Sequence, residues 1–380
     1  MILSLLSLRF LIKYNIYLIK YRIESEFMAK ISEKRKKYVN TRILSSHLTG
    51  VQRYTRAILS RFPADYETVS PSSYQNGALG HLWEQALLPL KIRDNVLWSP
   101  SNAGPLALRR QVVTIHDLVP IDHPEWLNAR FSAWYQFLTP RLVNAVQIIL
   151  TDSHASKARI VHHYPKVEDK VRVIHIGVDS HFHPRSASQV NAARAQLGIP
   201  FPHYILALGS LEPRKNLVRL LQAWSIIQSS IPDDVWLVIA GAKGKSMVFG
   251  EVSFDKLPPR VHLCGHVSDE LLPALYSGAI AAPYLSVYEG FGLPPLEAMA
   301  CGTPPLTGNL TSLPEVVGKA GLMVDPFDVE AIADALKQLI EQPSLRKRLS
   351  EAGLERARLF SWQKTADLTW SAIDEVARAD

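Results

Sequence analysis

The sequence is short of cysteine, of long apolar runs and of net charge over most of its length, and each shortage narrows what the chain can be. Cys264 and Cys301 are its only cysteines in 380 residues. They lie far apart and match no metal-ligand spacing, which points to a cytosolic chain without disulfides. No run approaches the ~18 uninterrupted apolar residues of a membrane-spanning helix. The formal net charge is +7, yet residues 1–37 hold nine Lys or Arg and three Glu. That segment supplies +6 and leaves +1 for everything after it, which argues against a nucleic-acid-binding body. No short-period repeat and no low-complexity segment occurs. No Asp-x-Asp motif is placed to bridge a metal to a diphosphate, so no metal is expected.

What is present begins with that basic segment, "MILSLLSLRFLIKYNIYLIKYRIESEFMAKISEKRKK". Arg9, Lys13 and Lys20 interrupt its apolar stretches, and it has no small-residue cleavage site of a secretory signal. Two readings stay open. It is an amphipathic, basic membrane-surface segment, or it is sequence upstream of a start at Met28.

Beyond Lys37, short β-branched runs alternate with helix-period segments. Candidate strands are "YVNTRIL", "NVLWS", "QVVTI", "VQIILT" and "VRVI", then "YILALG", "VWLVIA", "VHLCG", "AIAAP" and "GLMVD". Residues 51–61, 130–145, 217–229 and 330–340 read as helices between them. Such alternation predicts parallel sheets covered on both faces, here an α/β chain with two doubly wound domains of about five strands each. The expected organisation is an extension over 1–37, a first domain over 38–185, a Pro-flanked linker over 186–203, a second domain over 204–360 and a C-terminal helix over 361–380 packing back towards the first domain. Ligands of such sheets bind beyond the carboxyl ends of the strands.

One stretch meets that rule conspicuously. "VYEGFGLPPLEAMACG" places Glu289 on the loop after "AIAAP", then Gly290 and Gly292, then Pro294 and Pro295 where a helix tolerates missing N–H groups. "LEAMA" is helical and Gly302 suits its end. Glycine-loop amides and a helix N-terminus form an anion site, while nearby carboxylates suit sugar or ribose hydroxyls. Glu297 taken alone also fits a plain complement to the helix dipole, worth ~0.3–1 kcal/mol.

Glu, seven residues, Glu, in the form "EGFGLPPLEAMACGTP", resembles the retaining glycosyltransferases of family 4, which have the GT-B fold. The likeness extends through "LTGVQRY", "HLWEQALLP", "LWSPSNAGPL", "VVTIHDLVP", "LGSLEPRKNL", "LVIAGAKG", "LPALYSGA", "SLPEVVGKAGLMVDP" and "FSW". Within the family the chain is most similar to bacterial mannosyl- and rhamnosyltransferases of surface polysaccharides. The resemblance implies two Rossmann-like domains facing across a cleft. It implies roles too: Glu289 holds sugar hydroxyls, Glu297 the ribose, and His116, beside Asp117, the sugar from the opposite domain. Lys215 and Arg214 take the leaving phosphate with Gly209, Gly290, Phe291, Gly292 and Leu293 around it. Val267 meets the base, and Gly50 and Arg53 belong to a loop closing over the donor phosphates.

The residues themselves allow plainer readings: His116 bonded to a backbone carbonyl, Arg53 solvated, Arg214 and Lys215 as a surface basic pair. Pro213 is expected to begin a helix with Arg214 and Lys215 in its first turn, only one of them able to aim straight at a phosphate, and Lys215 is assigned that contact. Ser268 is expected as an N-cap. Three departures from the family pattern stand out: Ser210 in place of a common arginine, the longer "PYLSVYEG", and Gly308 in place of a common serine. The activity implied is transfer of a hexose, first choice mannose from GDP-mannose, to a glycan or lipid-linked glycan. The nucleoside diphosphate sugar is a substrate, and no cofactor is expected. The location implied is the cytoplasm, with residues 1–37 offering peripheral contact at the inner face of the membrane. A sugar phosphorylase of the same fold, or a non-catalytic sugar-nucleotide binder, are the alternatives.

Overall fold

Runs such as Val96–Leu97–Trp98 and Ile148–Ile149–Leu150 are buried at every residue, which requires cover on both faces of a sheet. The computed structural model describes residues 35–45, 50–71, 77–209, 212–241 and 257–379. The basic segment before Arg35, Ser210 and the start of "LTGVQRY" lie outside the described residues. In the first half, β1 (Lys37–Asn40), β2 (Glu67–Val69), β3 (Val96–Ser99), β4 (Gln111–Thr114), β5 (Ile148–Thr151) and β6 (Val171–Val173) form one parallel sheet in the order β2-β1-β3-β4-β5-β6.

The second half has β7 (His203–Leu208), β8 (Val235–Ala240), β9 (Val261–Gly265), β10 (Ala282–Tyr284), β11 (Pro305–Gly308) and β12 (Leu322–Val324). They pair as β7-β8-β9 and β10-β11-β12. Backbone bonds from Leu206 N to Ala281 O (3.0 Å) and Ile280 N to Tyr204 O (2.8 Å) join the two sets into one layer. The combined order, β9-β8-β7-β10-β11-β12, reverses between β7 and β10. A ligand crevice is expected at that reversal.

The expectation of five strands per half is corrected to six. β2 is an edge strand of three residues, two of them exposed, too short and polar to register as an apolar run. β11 opens with Pro305 and closes with Gly308, and is fully buried. Proline is tolerated as the first residue of a strand, so the composition that hid this strand does not forbid it. Between the sheets, residues 186–203 carry a helix, Ala187–Gln196, started by a capping box of Ser186 and Gln189.

The final helix, Trp362–Arg378, packs on the first sheet's side of the molecule. Phe62 meets Trp370 at 5.1 Å between ring centroids, Lys37 Nζ lies 2.9 Å from Asp374, and Thr365 Oγ1 donates to His175 O at 2.8 Å. The chain therefore crosses between the halves twice. The crossings run side by side, with Val178 N donating to Phe360 O at 3.3 Å. A Cβ on Gly177 would sit 2.1 Å from Trp362 N, so only glycine allows that approach.

Candidate active site

β10 ends at Tyr284, and the loop that follows turns back over the β7–β10 reversal. Gly292, at φ 114°, turns it into the helix Leu293–Ala300. Pro294 and Pro295 lie in the first turn as the sequence predicts, and Gly302, at φ 78°, follows the helix end. The prolines also remove two of the four amides that a helix N-terminus offers.

Glu289 is buried and bound on both carboxylate oxygens. Oε1 accepts from Lys215 Nζ (2.6 Å), Ser286 Oγ (2.6 Å) and Tyr284 OH (2.9 Å), and Oε2 accepts from Arg214 Nη1 (3.0 Å). Burial alone would raise its pKa, but the Arg214 and Lys215 charges outweigh burial and hold it at about 2. Lys215 is pulled below its ordinary value by burial and then by Arg214. Arg214 is pushed up, because Glu289 and Glu212 more than offset its burial. Its Nε donates to Glu212 at 2.8 Å.

Two local expectations are corrected here. Pro213–Lys215 is a separate 3-10 turn, and Asn216, at φ 58°, breaks it from the helix Leu217–Ile227. Arg214 and Lys215 are therefore not in the first turn of that helix, and both reach Glu289. The second correction concerns Ser268. The helix Leu272–Ser277 begins without a side-chain cap, and Ser268 contributes its carbonyl to the preceding turn.

The first domain meets this loop closely. Gly290 O accepts from Ser153 Oγ at 2.7 Å, and a Cβ on Gly290 would lie 2.2 Å from His116 O. His116 follows β4. Its Nδ1 faces Asp152 (2.6 Å) and its Nε2 faces Pro100 O (3.0 Å). Both partners only accept, so both ring nitrogens must carry hydrogen, the arrangement of an imidazolium. Burial lowers the ring's pKa, but Asp152 outweighs it and the net shift is upward. Asp117 is raised by its burial, against the Arg214 charge.

Glu297 is also buried, and across the domains Arg53 Nη1 donates to its Oε1 at 2.7 Å while Nη2 donates to Asp269 at 2.6 Å. Burial pushes Glu297 up to about 7, with Arg53 opposing and Asp269 adding to the rise. Gly50 opens the helix that carries Arg53. Gly209 directly follows β7, and a Cβ added to it would meet Lys215 and Tyr284 within 4 Å. Val267 and Phe291 are buried, Phe291 against Phe360 and His175. Leu293 is the first residue of the helix after the loop.

Thus Glu289, Arg214, Lys215 and Gly209 form one cluster with Asp117 in electrostatic reach, and Glu297 and Arg53 form a second. Sequence reading missed Tyr284, Ser286, Asp152 and Asp269. Asp152 stands just past β5, where the strand-end rule would have found it. Tyr284 and Ser286 sit in the longer "PYLSVYEG", which wraps the Arg214 turn through Val287 N and Arg214 O at 2.9 Å. Among the described residues, His154, His175 and Glu315 could offer a metal three ligand atoms within 4.8 Å. They lie on the domain seam, where Glu315 already accepts from His175 Nε2 and His154 N.

Two doubly wound domains whose strand ends face each other, with two half-buried cations beside a glycine loop, define the GT-B fold and its cleft. HepE from Anabaena, solved with UDP-glucose, superposes with a TM-score of 0.69 at 19% identity, covering 89% of this chain and 100% of that one. Residues 190–356 match the glycosyl transferases group 1 model and residues 95–182 the glycosyltransferase family 4 model. O-antigen chain mannosyltransferase B of Escherichia coli is 32% identical over 294 residues, 77% of each chain. Serotype-specific mannosyltransferase WbdA of Escherichia coli is 28% identical over 283 residues, 72% of this chain but 33% of that protein. The chain belongs to the group 1, family 4 glycosyltransferases. It is a hexosyltransferase of the retaining kind. Among the described residues, no helix is long and apolar enough to cross a membrane.

Proposed function

We propose that the chain transfers mannose from GDP-mannose to a glycan or lipid-linked glycan during synthesis of a cell-surface polysaccharide. The observation carrying the chemistry is the buried Glu289 carboxylate held jointly by Arg214 and Lys215 beside Gly290. A leaving diphosphate can take over those two cations as negative charge builds on it, the electrostatic stabilisation that such transfers need most. Glu289, released, serves the sugar hydroxyls. Glu297 takes the ribose, His116 gives up Pro100 O to meet the sugar from the first domain, and Val267 meets the base. Gly50 and Arg53 line the donor from the first turn of the facing helix. No metal and no cofactor is assigned a step.

Mannose is favoured because the similar bacterial proteins are mannosyltransferases by name. The reaction would run in the cytoplasm, with residues 1–37 in peripheral contact with the membrane. A thermal-shift screen against GDP, UDP and dTDP sugars tests the donor. A ligand at ~100-fold its Kd stabilises by ~2.7 kcal/mol, and GDP-mannose is expected to give the largest shift. A larger shift with another base overturns the donor assignment. Binding without turnover of the bound sugar overturns the transferase reading of the site.

A further inference from the structure

Residues 78–92 form a helix with an unusual middle: α over Ala78–Leu82, π over Trp83–Leu87 and α over Leu88–Ile92. Its inner face is committed. Gly80, Glu84, Leu88 and Ile92 are buried, and Glu84 accepts from Asn40 Nδ2 at 2.7 Å and Arg42 Nη2 at 3.2 Å. Its outer face carries Leu79, Leu82, Leu87 and Leu90, each more than half exposed. In an α-helix the five-residue step from Leu82 to Leu87 turns about 140° and would split the leucines into two lines. A π-turn takes about one more residue per turn, so that step comes nearly full circle and all four align.

The stripe extends onto the neighbouring helix, Ala129–Ala145. The His81 ring lies 4.9 Å from Trp134, Trp134 stacks on Phe137 at 6.0 Å, and the Arg141 guanidinium sits 3.9 Å over Phe137. Lys91, Arg93 and Arg130 lie exposed at the ends of these two helices, and the exposed acids near them are Asp94, Glu67 and Glu125. Lys36, among the first of the described residues, lies at the same end. There Lys36 N donates to Asn95 Oδ1 and Val96 N to Lys36 O, both at 3.0 Å. The helix middle is pinned to the loop between β3 and β4, through Gln85 Nε2 to Gly104 O at 2.9 Å.

We propose that this leucine stripe is a membrane-docking surface for an anionic bilayer. The four leucines enter the headgroup–acyl boundary, and Lys91, Arg93, Arg130 and Arg141 meet lipid phosphates. Glu67 is already bonded to Lys36 and Glu125 to His123, so the four cations are in excess over Asp94, an excess that suits lipid phosphates better than a second copy of the same surface. Docking here serves the lipid-linked acceptor of the proposed function and rests on that reading for its purpose. Binding to lipid itself needs neither donor nor acceptor.

Full-length protein is mixed with phosphatidylcholine vesicles, with and without phosphatidylglycerol, and bound protein is measured by flotation. Leu82→Gln with Leu90→Gln is expected to lower partition into the anionic vesicles by about tenfold or more, with melting and turnover of a soluble acceptor analogue at parental levels. An environment-sensitive dye on Leu87→Cys, in a Cys264→Ser background, is expected to shift to the blue only with anionic vesicles. Unchanged partition of the double variant, or a silent dye, overturns the proposal. So does complete loss of binding in Arg9→Gln/Lys13→Gln/Lys20→Gln together with full binding of the leucine variant. A lipid-free dimer that the leucine variant dissolves assigns the stripe to a second copy instead. Vesicle binding with no sugar transfer strikes the functional reading and leaves the docking surface standing.

Discussion

Arg53→Met isolates the electrostatics of the cleft. Arg53 is the cation bonded to the buried Glu297, and Asp269 beside them adds a second negative charge. Stripping a buried carboxylate of its partner costs ~3–5 kcal/mol when the charge has no escape. Glu297 has one. Its pKa stands at about 7 against an ordinary 4.5, so the fold already favours the protonated acid. The stability tied to that proton is fully present below pH 4.5 and is lost as pH rises through 7. Losing Arg53 raises the folded pKa further, because burial and Asp269 remain. Below about pH 7 Glu297 is protonated in both proteins, and the electrostatic difference is near zero. Above it each pH unit costs the variant about 1.4 kcal/mol more, or about 2 kcal/mol at pH ~8.5 while its pKa stays higher still. Melting curves of both proteins across about pH 6–9 should diverge by a few degrees at the alkaline end and converge at the acid end. A Tm difference that does not change with pH refutes this reasoning and leaves Arg53 as packing.

The other expectations concern the chemistry. Lys215→Ala and Arg214→Ala should each lower kcat/KM for donor by about 30- to 1000-fold, since each loses a charge-assisted contact to the leaving group. A near-parental Arg214→Ala in steady-state assays would restrict the site to Lys215. Glu289→Gln should act mainly on kcat and Glu297→Gln mainly on donor KM, because ribose is held alike in ground and transition states. Identical kinetic signatures would refute the separate roles. Gly290→Ala should lower kcat/KM by about 100-fold, as its methyl group drives the loop off His116 O and misplaces the reacting groups. Parental turnover would show that the two domains need not approach so closely.

The sequence made strand ends and the glutamate loop legible because both are local. Glycines, prolines and an acid in fixed order fold the same way wherever they occur, and the Leu293–Ala300 helix starts where the pattern places it. Pairings across the cleft were not legible. Arg53 and Glu297 are 244 residues apart, and nothing in either neighbourhood marks the other. The Pro213 turn misled for a different reason. Proline opens a helix or a 3-10 turn equally well, and it is Asn216, able to adopt the left-handed conformation, that closes the turn after three residues. β11 stayed hidden because proline and glycine argue against a strand unless they stand at its ends.

The second crossing of the chain constrains the order in which the molecule is made. The first sheet leaves the ribosome early, yet the helix that covers Phe62, Lys37 and Tyr54 is synthesised only after the whole second domain. Domains generally fold in the order of their synthesis, but here the first waits for Trp362–Arg378 while the second closes on its own residues. The nascent chain thus carries an incomplete first domain, its aromatic face uncovered, until Trp362–Arg378 has been made. A stop codon near Trp362 would therefore injure the opposite end of the protein from the one it removes.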